Sequence, residues 1–197
     1  KLMAIFNDTA LKICEGQQLD LEFEKENELK FSDYIQMIKY KTAVLLGSSL
    51  KMGGIINDVN ETDLESLYDI GINLGLAFQI QDDYLDLFGD QNLIGKKIGG
   101  DIIKQKKTVM YHVFKEISNE GDSLTLDQLY NDSNSDDVSK IQKVFELFKN
   151  ANVDVKTKDL VKNYSTKAIN SLENLNIEND KKSELIQICN KLISRDF

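Results

Sequence analysis

No proline occurs among the 197 residues. Proline lacks a backbone donor and clashes with the preceding helical turn, so its absence leaves every stretch of helical periodicity free to run on as long helix. Met3, Ile5, Phe6, Ala10, Ile13 and Cys14 recur at three- and four-residue spacing, continuing weakly through Leu19, which predicts a first helix over 2–23. Ser32 is placed to cap a second helix carrying Tyr34, Ile35, Ile38, Ala43, Val44, Leu45 and Leu46, loosening at Gly53-Gly54 near Ile56. Thr62 or Asp63 opens a third, which runs through Leu67, Ile70, Leu74, Phe78 and Ile80 to Leu87 with Gly89 placed to stop it. A fourth helix is expected over 102–117, followed by a polar segment, 118–135, with at most one short helical piece near Leu124–Tyr130. Ser135-Asp136-Asp137 reads as a cap followed by first-turn acids, opening a helix over 136–150, and two more are expected over 155–174 and 180–194. With no strand-like alternation, repeat period or linker, the predicted architecture is an all-α bundle forming a single domain over 1–197.

Composition narrows the function. A hydrophobic fraction of 41% with 29% charged residues is that of a globular core with a charged surface. No run of about 18 uncharged apolar residues is present, so no membrane span is predicted. Against 24 Lys+Arg stand 33 Asp+Glu, a net charge of -9 that disfavours nucleic acid and anionic membrane surfaces. Cys14 and Cys189 lie far apart without a CxxC or His-spaced metal pattern, and are expected to be reduced, buried thiols in a cytoplasmic protein.

Asp82, Asp83 and Asp86 are the sharpest local feature. Spacings of i,i+4 and i,i+3 put their carboxylates on one side of one turn, near the C-terminal, negative end of the third helix. Repulsion and the dipole together cost about 1–2 kcal/mol unless something cationic is present. A solvated acidic face is the commonest explanation of such a run, but Leu76, Ala77, Phe78 and Ile80 before it and Leu85, Leu87 and Phe88 after it argue against one here. The pattern suits a hard divalent cation, and Mg²⁺ above all, which takes one or two carboxylates and completes its shell with water and phosphate oxygens.

Next comes Gly95-Lys96-Lys97-Ile98-Gly99-Gly100-Asp101, then Lys104, Lys106, Lys107 and Thr108, five lysines in twelve residues of an acidic chain. The glycine-to-lysine spacing is not that of a P-loop. Carboxylates beside lysines suggest a shared ligand, a metal-bound polyphosphate, although a solvated basic loop would carry the same residues. Lys41-Thr42 lies inside the apolar second helix, where the ammonium either snorkels to water or meets an anion in a cavity.

The string Phe78-Gln79-Ile80-Gln81-Asp82-Asp83-Tyr84-Leu85-Asp86-Leu87-Phe88-Gly89-Asp90 resembles the second aspartate-rich motif of the trans-prenyl diphosphate synthases, of the farnesyl and geranylgeranyl diphosphate synthase type. Gly16-Gln17-Gln18-Leu19-Asp20, Tyr40-Lys41-Thr42-Ala43, Gly95–Asp101 and Lys106-Lys107-Thr108 match further family segments in the family's order. The resemblance implies an isoprenoid-synthase-type helical bundle around a deep cavity, a homodimer, and Mg²⁺ as cofactor. It implies condensation of isopentenyl diphosphate with an allylic diphosphate (dimethylallyl, geranyl or farnesyl) by ionisation, carbocation attack and proton loss, giving farnesyl or geranylgeranyl diphosphate. Asp82, Asp83 and Asp86 match the metal-binding aspartates, Lys41 and Thr42 the pair contacting the diphosphate, and Gln79 a glutamine lining the same cavity. Lys97 and Lys106 match phosphate-binding lysines, with Lys96 competing with Lys97, and Arg195 corresponds to a basic tail residue. The single histidine, His112, is expected in packing or at the surface rather than as a base.

The family's first aspartate-rich motif and its upstream Gly-Lys-x-x-Arg segment are not found in these residues. The chain is therefore expected to be the C-terminal part of a polyprenyl synthase domain, inactive by itself. A non-catalytic partner subunit of a synthase is the alternative; a terpene cyclase would need an Asn/Ser/Glu metal motif that is not found in the expected form.

Overall fold

A computed structural model describes residues 1–26, 28–90, 98–132 and 135–193. Among the described residues every regular element is helical: α1 (Leu2–Phe23), α2 (Phe31–Ile38), a π-helical turn (Lys39–Ala43), α3 (Val44–Ile56), α4 (Glu61–Phe88), α5 (Gly100–Ile103), α6 (Val109–Ile117), α7 (Glu120–Asn131), α8 (Asp137–Asn150), α9 (Val153–Glu173) and α10 (Asn179–Ile193). The all-α expectation holds, and α1, α4 and the last three helices fall close to their predicted bounds.

Several boundaries differ for local reasons. The helix expected over 102–117 is two, because the chain between Ile103 and Val109 turns through a left-handed Gln105 (φ 58). The Lys106 N–H there reaches back to the Asp101 carbonyl at 2.8 Å. Residues 120–131 form a full helix rather than a short piece, since the Asn119 side chain accepts from the Asp122 N–H at 3.0 Å and caps it. The second predicted helix begins at Phe31, one residue before Ser32, and α4 is capped by Asn60, whose Oδ1 accepts from the Asp63 N–H at 3.0 Å.

The chain gathers into two compact units. The first comprises residues 1–21, 35–79 and 160–196. Its core joins Leu64, Leu67, Ile70 and Leu74 of α4 to Ala168 and Leu172 of α9, Leu175 and Cys189. Thr9 of α1 and Ser48 of α3, both buried, share a hydroxyl–hydroxyl hydrogen bond of 2.5 Å. Cys14 corrects the expectation of two buried thiols: it is exposed, while Cys189 is buried. The face of α1 turned inward carries Thr9 and Gly16, which leaves Cys14 on the outer side with the exposed Met3 and Phe6.

The second unit comprises residues 22–34 and 80–159. Here α8 packs on α5 and α7. Phe114 of α6 and Phe148 of α8, both fully buried, meet with ring centroids 5.5 Å apart. The continuous helix α4 runs through both units and carries Gln79 in one and the three aspartates in the other.

Candidate functional site

In the first unit the π-helical turn carries Lys41 and Thr42. The Val44 N–H donates to the Lys39 carbonyl, five residues back, so one extra residue is accommodated in this turn. Two neighbouring helices close on it through glycines. A Cβ on Gly16 of α1 would lie 2.3 Å from the Lys41 backbone nitrogen, and one on Gly75 of α4 would lie 2.4 Å from the Ala43 Cα. No larger residue fits at either position, and this contact fixes where residues 41–43 stand. Lys41 Nζ donates to Asp20 Oδ2 at 2.7 Å, and Thr42 Oγ1 donates to Gln79 Oε1 at 2.9 Å. All four side chains are half-buried, so an ammonium, a hydroxyl and an amide are held in fixed order at a partly solvated surface. The structure thus joins Lys41 to Asp20 and Thr42 to Gln79. Asp20 is a residue sequence reasoning passed over, although the Gly-Gln-Gln-Leu-Asp string that contains it was legible.

In the second unit the three aspartates have different surroundings. Asp82 is exposed, Asp86 half-buried and Asp83 buried, 5% exposed. Asp83 Oδ2 accepts from the Tyr34 hydroxyl of α2 and from the Val109 N–H at 3.4 Å. Asp86 Oδ2 accepts from the Asp101 N–H at 3.0 Å, and the Asp86 carbonyl accepts from the Gly99 N–H at 2.7 Å. These two bonds bring the start of α5 onto the acidic turn. Asp101, a second residue that sequence reasoning left without a role, is pushed up to about 6 by burial and then by the neighbouring Asp86 carboxylate, with Lys106 opposing the shift. Its only sequence signal was its place at the end of the Gly-Gly-Asp string.

Of the phosphate-binding candidates, Lys106 lies 3.7 Å from Glu24 Oε1, and the adjacent Lys107 donates to the Glu26 carbonyl. Burial lowers the Lys107 ammonium below its ordinary value. Lys96, Lys97 and Arg195 lie outside the described residues. His112 is in packing: it is buried, stacks on Phe31 with centroids 5.7 Å apart, and is pushed down to about 4, chiefly by burial.

Among the described residues no group of three or more His, Cys, Asp or Glu side chains is arranged to hold a metal ion. The donors nonetheless fit a hard cation. Asp82 and Asp86 are oxygen donors on one helical turn, and Mg²⁺ needs no more than one or two carboxylates when phosphate oxygens complete its shell. Asp101 of α5 adds a third carboxyl beside them, its backbone N–H bonded to Asp86 Oδ2 at 3.0 Å.

The polyprenyl synthetase family model matches residues 1–148. The chain belongs to this family. The chain is similar to a short chain isoprenyl diphosphate synthase of Methanocaldococcus jannaschii, 36% identical over 150 residues, which are 76% of this chain and 45% of that protein. A solved geranylgeranyl pyrophosphate synthase superposes with a TM-score of 0.92 at 39% identity, over 100% of this chain and 61% of the other. A polyprenyl synthase from Caulobacter crescentus, solved in complex with calcium and isoprenyl diphosphate, gives a TM-score of 0.89 at 27% identity, over 100% of this chain and 60% of that one. The all-α isoprenoid-synthase fold expected from the sequence is the fold found. The chain spans about half the length of the curated relatives it matches. Among the described residues no helix is long and apolar enough to cross a membrane.

Proposed function

We propose that the full-length protein is a prenyltransferase that joins isopentenyl diphosphate to an allylic diphosphate, with these residues forming the C-terminal part of its single synthase domain. The observation that carries this reading is the acidic turn of α4, where Asp82 and Asp86 share one turn, Asp101 of α5 is bonded to Asp86 through its backbone N–H, and lysines follow in sequence. The family match over residues 1–148 and the names of the relatives support the same reaction class. Magnesium is the proposed cofactor, and the calcium complex of the Caulobacter crescentus synthase supports a divalent cation. When bound, the metal would supply Lewis-acid assistance to the departing diphosphate.

The chain's own residues take distinct parts. Asp82 and Asp86 hold the metal, and Asp83 belongs to the same motif with its carboxylate turned inward. Lys41 and Thr42, with Lys106 and one of Lys96 and Lys97, bind diphosphate oxygens and neutralise the charge that develops as the allylic C–O bond breaks. Gln79 orients Thr42 through the 2.9 Å hydrogen bond. The isopentenyl double bond attacks the allylic cation, and the proton lost afterwards goes to the departing diphosphate, so no side-chain nucleophile is required.

The proposed product is short-chain, farnesyl or geranylgeranyl diphosphate, and relatives named for geranylgeranyl synthesis support the longer of the two. The protein is proposed to be a cytoplasmic homodimer. The exposed Met3, Phe6, Cys14 and Leu21 follow one side of α1 and support an interface there.

The test is incubation of the full-length protein with isopentenyl diphosphate, geranyl diphosphate and Mg²⁺, with products read by mass spectrometry. A prenyl diphosphate of defined length, reduced at least about 100-fold in Asp82→Ala, is expected. No product from folded full-length protein would instead indicate a non-catalytic partner subunit.

A further inference from the structure

We propose that Tyr34 is a positioning residue for this reaction, holding the Asp83 carboxylate in place behind the metal-binding turn; the inference rests on the functional reading above. Tyr34 lies on α2 and is 3% exposed, and its hydroxyl donates to Asp83 Oδ2. The same oxygen accepts from the Val109 N–H at 3.4 Å, so donors from α2 and from the start of α6 converge on one carboxylate of α4. Stacking fixes the phenol ring as well: its centroid lies 5.5 Å from that of His112, which in turn stacks on Phe31.

A buried carboxylate is an expensive way to tie two helices together. An apolar pair of the same shape would serve as well or better for stability alone. At Asp83 the cost has a use. The three aspartates share one turn, and their carboxylates repel one another. An O–H and an N–H pointed at Asp83 Oδ2 spread its charge into the interior and fix the direction of the carboxylate. The buried Asp83 carboxylate is thereby held between Tyr34 and Val109, while Asp82 is exposed and Asp86 half-buried. Without the phenol hydroxyl, the Asp83 carboxylate loses the donor from α2 and can swing toward its neighbours, which changes the geometry of the turn. Removing a hydrogen-bonding group that supports a metal site from behind its ligands typically changes metal affinity or activity by about 10–100-fold.

The experiment compares full-length wild type, Tyr34→Phe, Asp83→Asn, the double variant and Asp82→Ala. Binding of Mg²⁺ with inorganic diphosphate is read by calorimetry, and kcat and KM by product formation. Tyr34→Phe is expected to raise the Mg²⁺ concentration for half-maximal binding about tenfold and to lower kcat about 10–100-fold, with the allylic KM within about threefold of wild type. The double variant is expected to be no worse than Asp83→Asn, because both substitutions remove one interaction. Wild-type magnesium dependence and kcat in Tyr34→Phe, or fully additive losses in the double variant, would overturn the proposal. If Tyr34→Phe does not fold, the double variant, which leaves no buried charge unpaired, carries the comparison with Asp83→Asn on the same terms. Asp82→Ala separates the two levels. If it binds and turns over normally, the metal-site reading fails; if it loses both while Tyr34→Phe is unaffected, only the role of Tyr34 fails.

Discussion

Lys41 Nζ stands 2.7 Å from Asp20 Oδ2, an ion pair that joins the π-helical turn to α1 at the point where the two backbones meet. The lysine side chain is 33% exposed and the aspartate 12%, so the pair is only partly screened and removal of the ammonium takes a cationic partner from a largely buried carboxylate. Its weight lies in placing an ammonium. Lys41→Met should lower the melting temperature moderately, and should raise the KM for the allylic diphosphate at least about tenfold. A large loss of stability with an unchanged KM would show that the pair holds the fold and not the substrate.

Gly16 supports that placement from below. An added methyl would meet the Lys41 nitrogen at 2.3 Å and its Cα at 2.8 Å, backbone atoms that cannot rotate away. Gly16→Ala should destabilise the protein by about 1–3 kcal/mol, the usual range for overpacking, and should also weaken diphosphate binding because residues 41 and 42 are pushed out of register. Urea unfolding together with calorimetric diphosphate titration reads both effects. Retention of full stability would mean that α1 can shift, and that its contact with the turn is not fixed.

Long apolar periodicity made α1 and α4 legible in the sequence, and with them the acidic turn, because nothing in either segment competes with the helical pattern. What escaped was set by partners distant along the chain. The break before Val109 was invisible because Ile102, Ile103 and Val109 continue an apolar pattern, whereas the chain there turns through Gln105 and the Val109 N–H is directed to Asp83. α7 was hidden by its own polarity: its start depends on the Asn119 cap and not on an apolar stripe. In sequence Tyr34 is one of the apolar-face residues of the second helix and Asp101 the end of the Gly95–Asp101 string. Only the folded chain shows that each reaches the aspartates of α4.

Lys140 illustrates the same limit and leads to a stability prediction. In sequence it is one lysine in a polar helix, but it is buried, and its Nζ donates to the Tyr130 carbonyl at 2.9 Å and the Asp132 carbonyl at 3.2 Å. Those carbonyls belong to the end of α7, where backbone acceptors lack partners within the helix. Lys140→Met keeps the apolar stem and removes the donors, and should cost about 1.5–3 kcal/mol in urea unfolding. A cost below about 0.5 kcal/mol would show that water satisfies these carbonyls in place of the ammonium.

His112 supplies a pH dependence whose sign follows from its surroundings. Its Nε2 is buried without a hydrogen-bond partner, and its rings are flanked by Phe31, Tyr34 and Tyr111. Burial pushes it down from 6.5 to about 4 in the folded protein. Above pH 6.5 the imidazole is neutral in both folded and unfolded chains, and its contribution to stability is complete. As the pH falls from 6.5 toward 4, the unfolded chain takes up the proton while the folded chain resists it, so stability is lost across that window. At pH 5 the loss is about 2 kcal/mol, from 1.36 kcal/mol per pH unit over the part of the window already crossed. Asp101 acts in the opposite direction: held up to about 6, it contributes most at low pH and loses that contribution as the pH rises through 6. The total curve therefore mixes the two, and comparison with His112→Phe separates them, since Asp101 is common to both proteins. Urea unfolding at pH 7.5 and pH 5 should show wild type losing about 2 kcal/mol more than His112→Phe on acidification. Equal losses in the two proteins would mean that the folded state protonates His112 as readily as the unfolded chain does, which the aromatic enclosure of the ring does not allow.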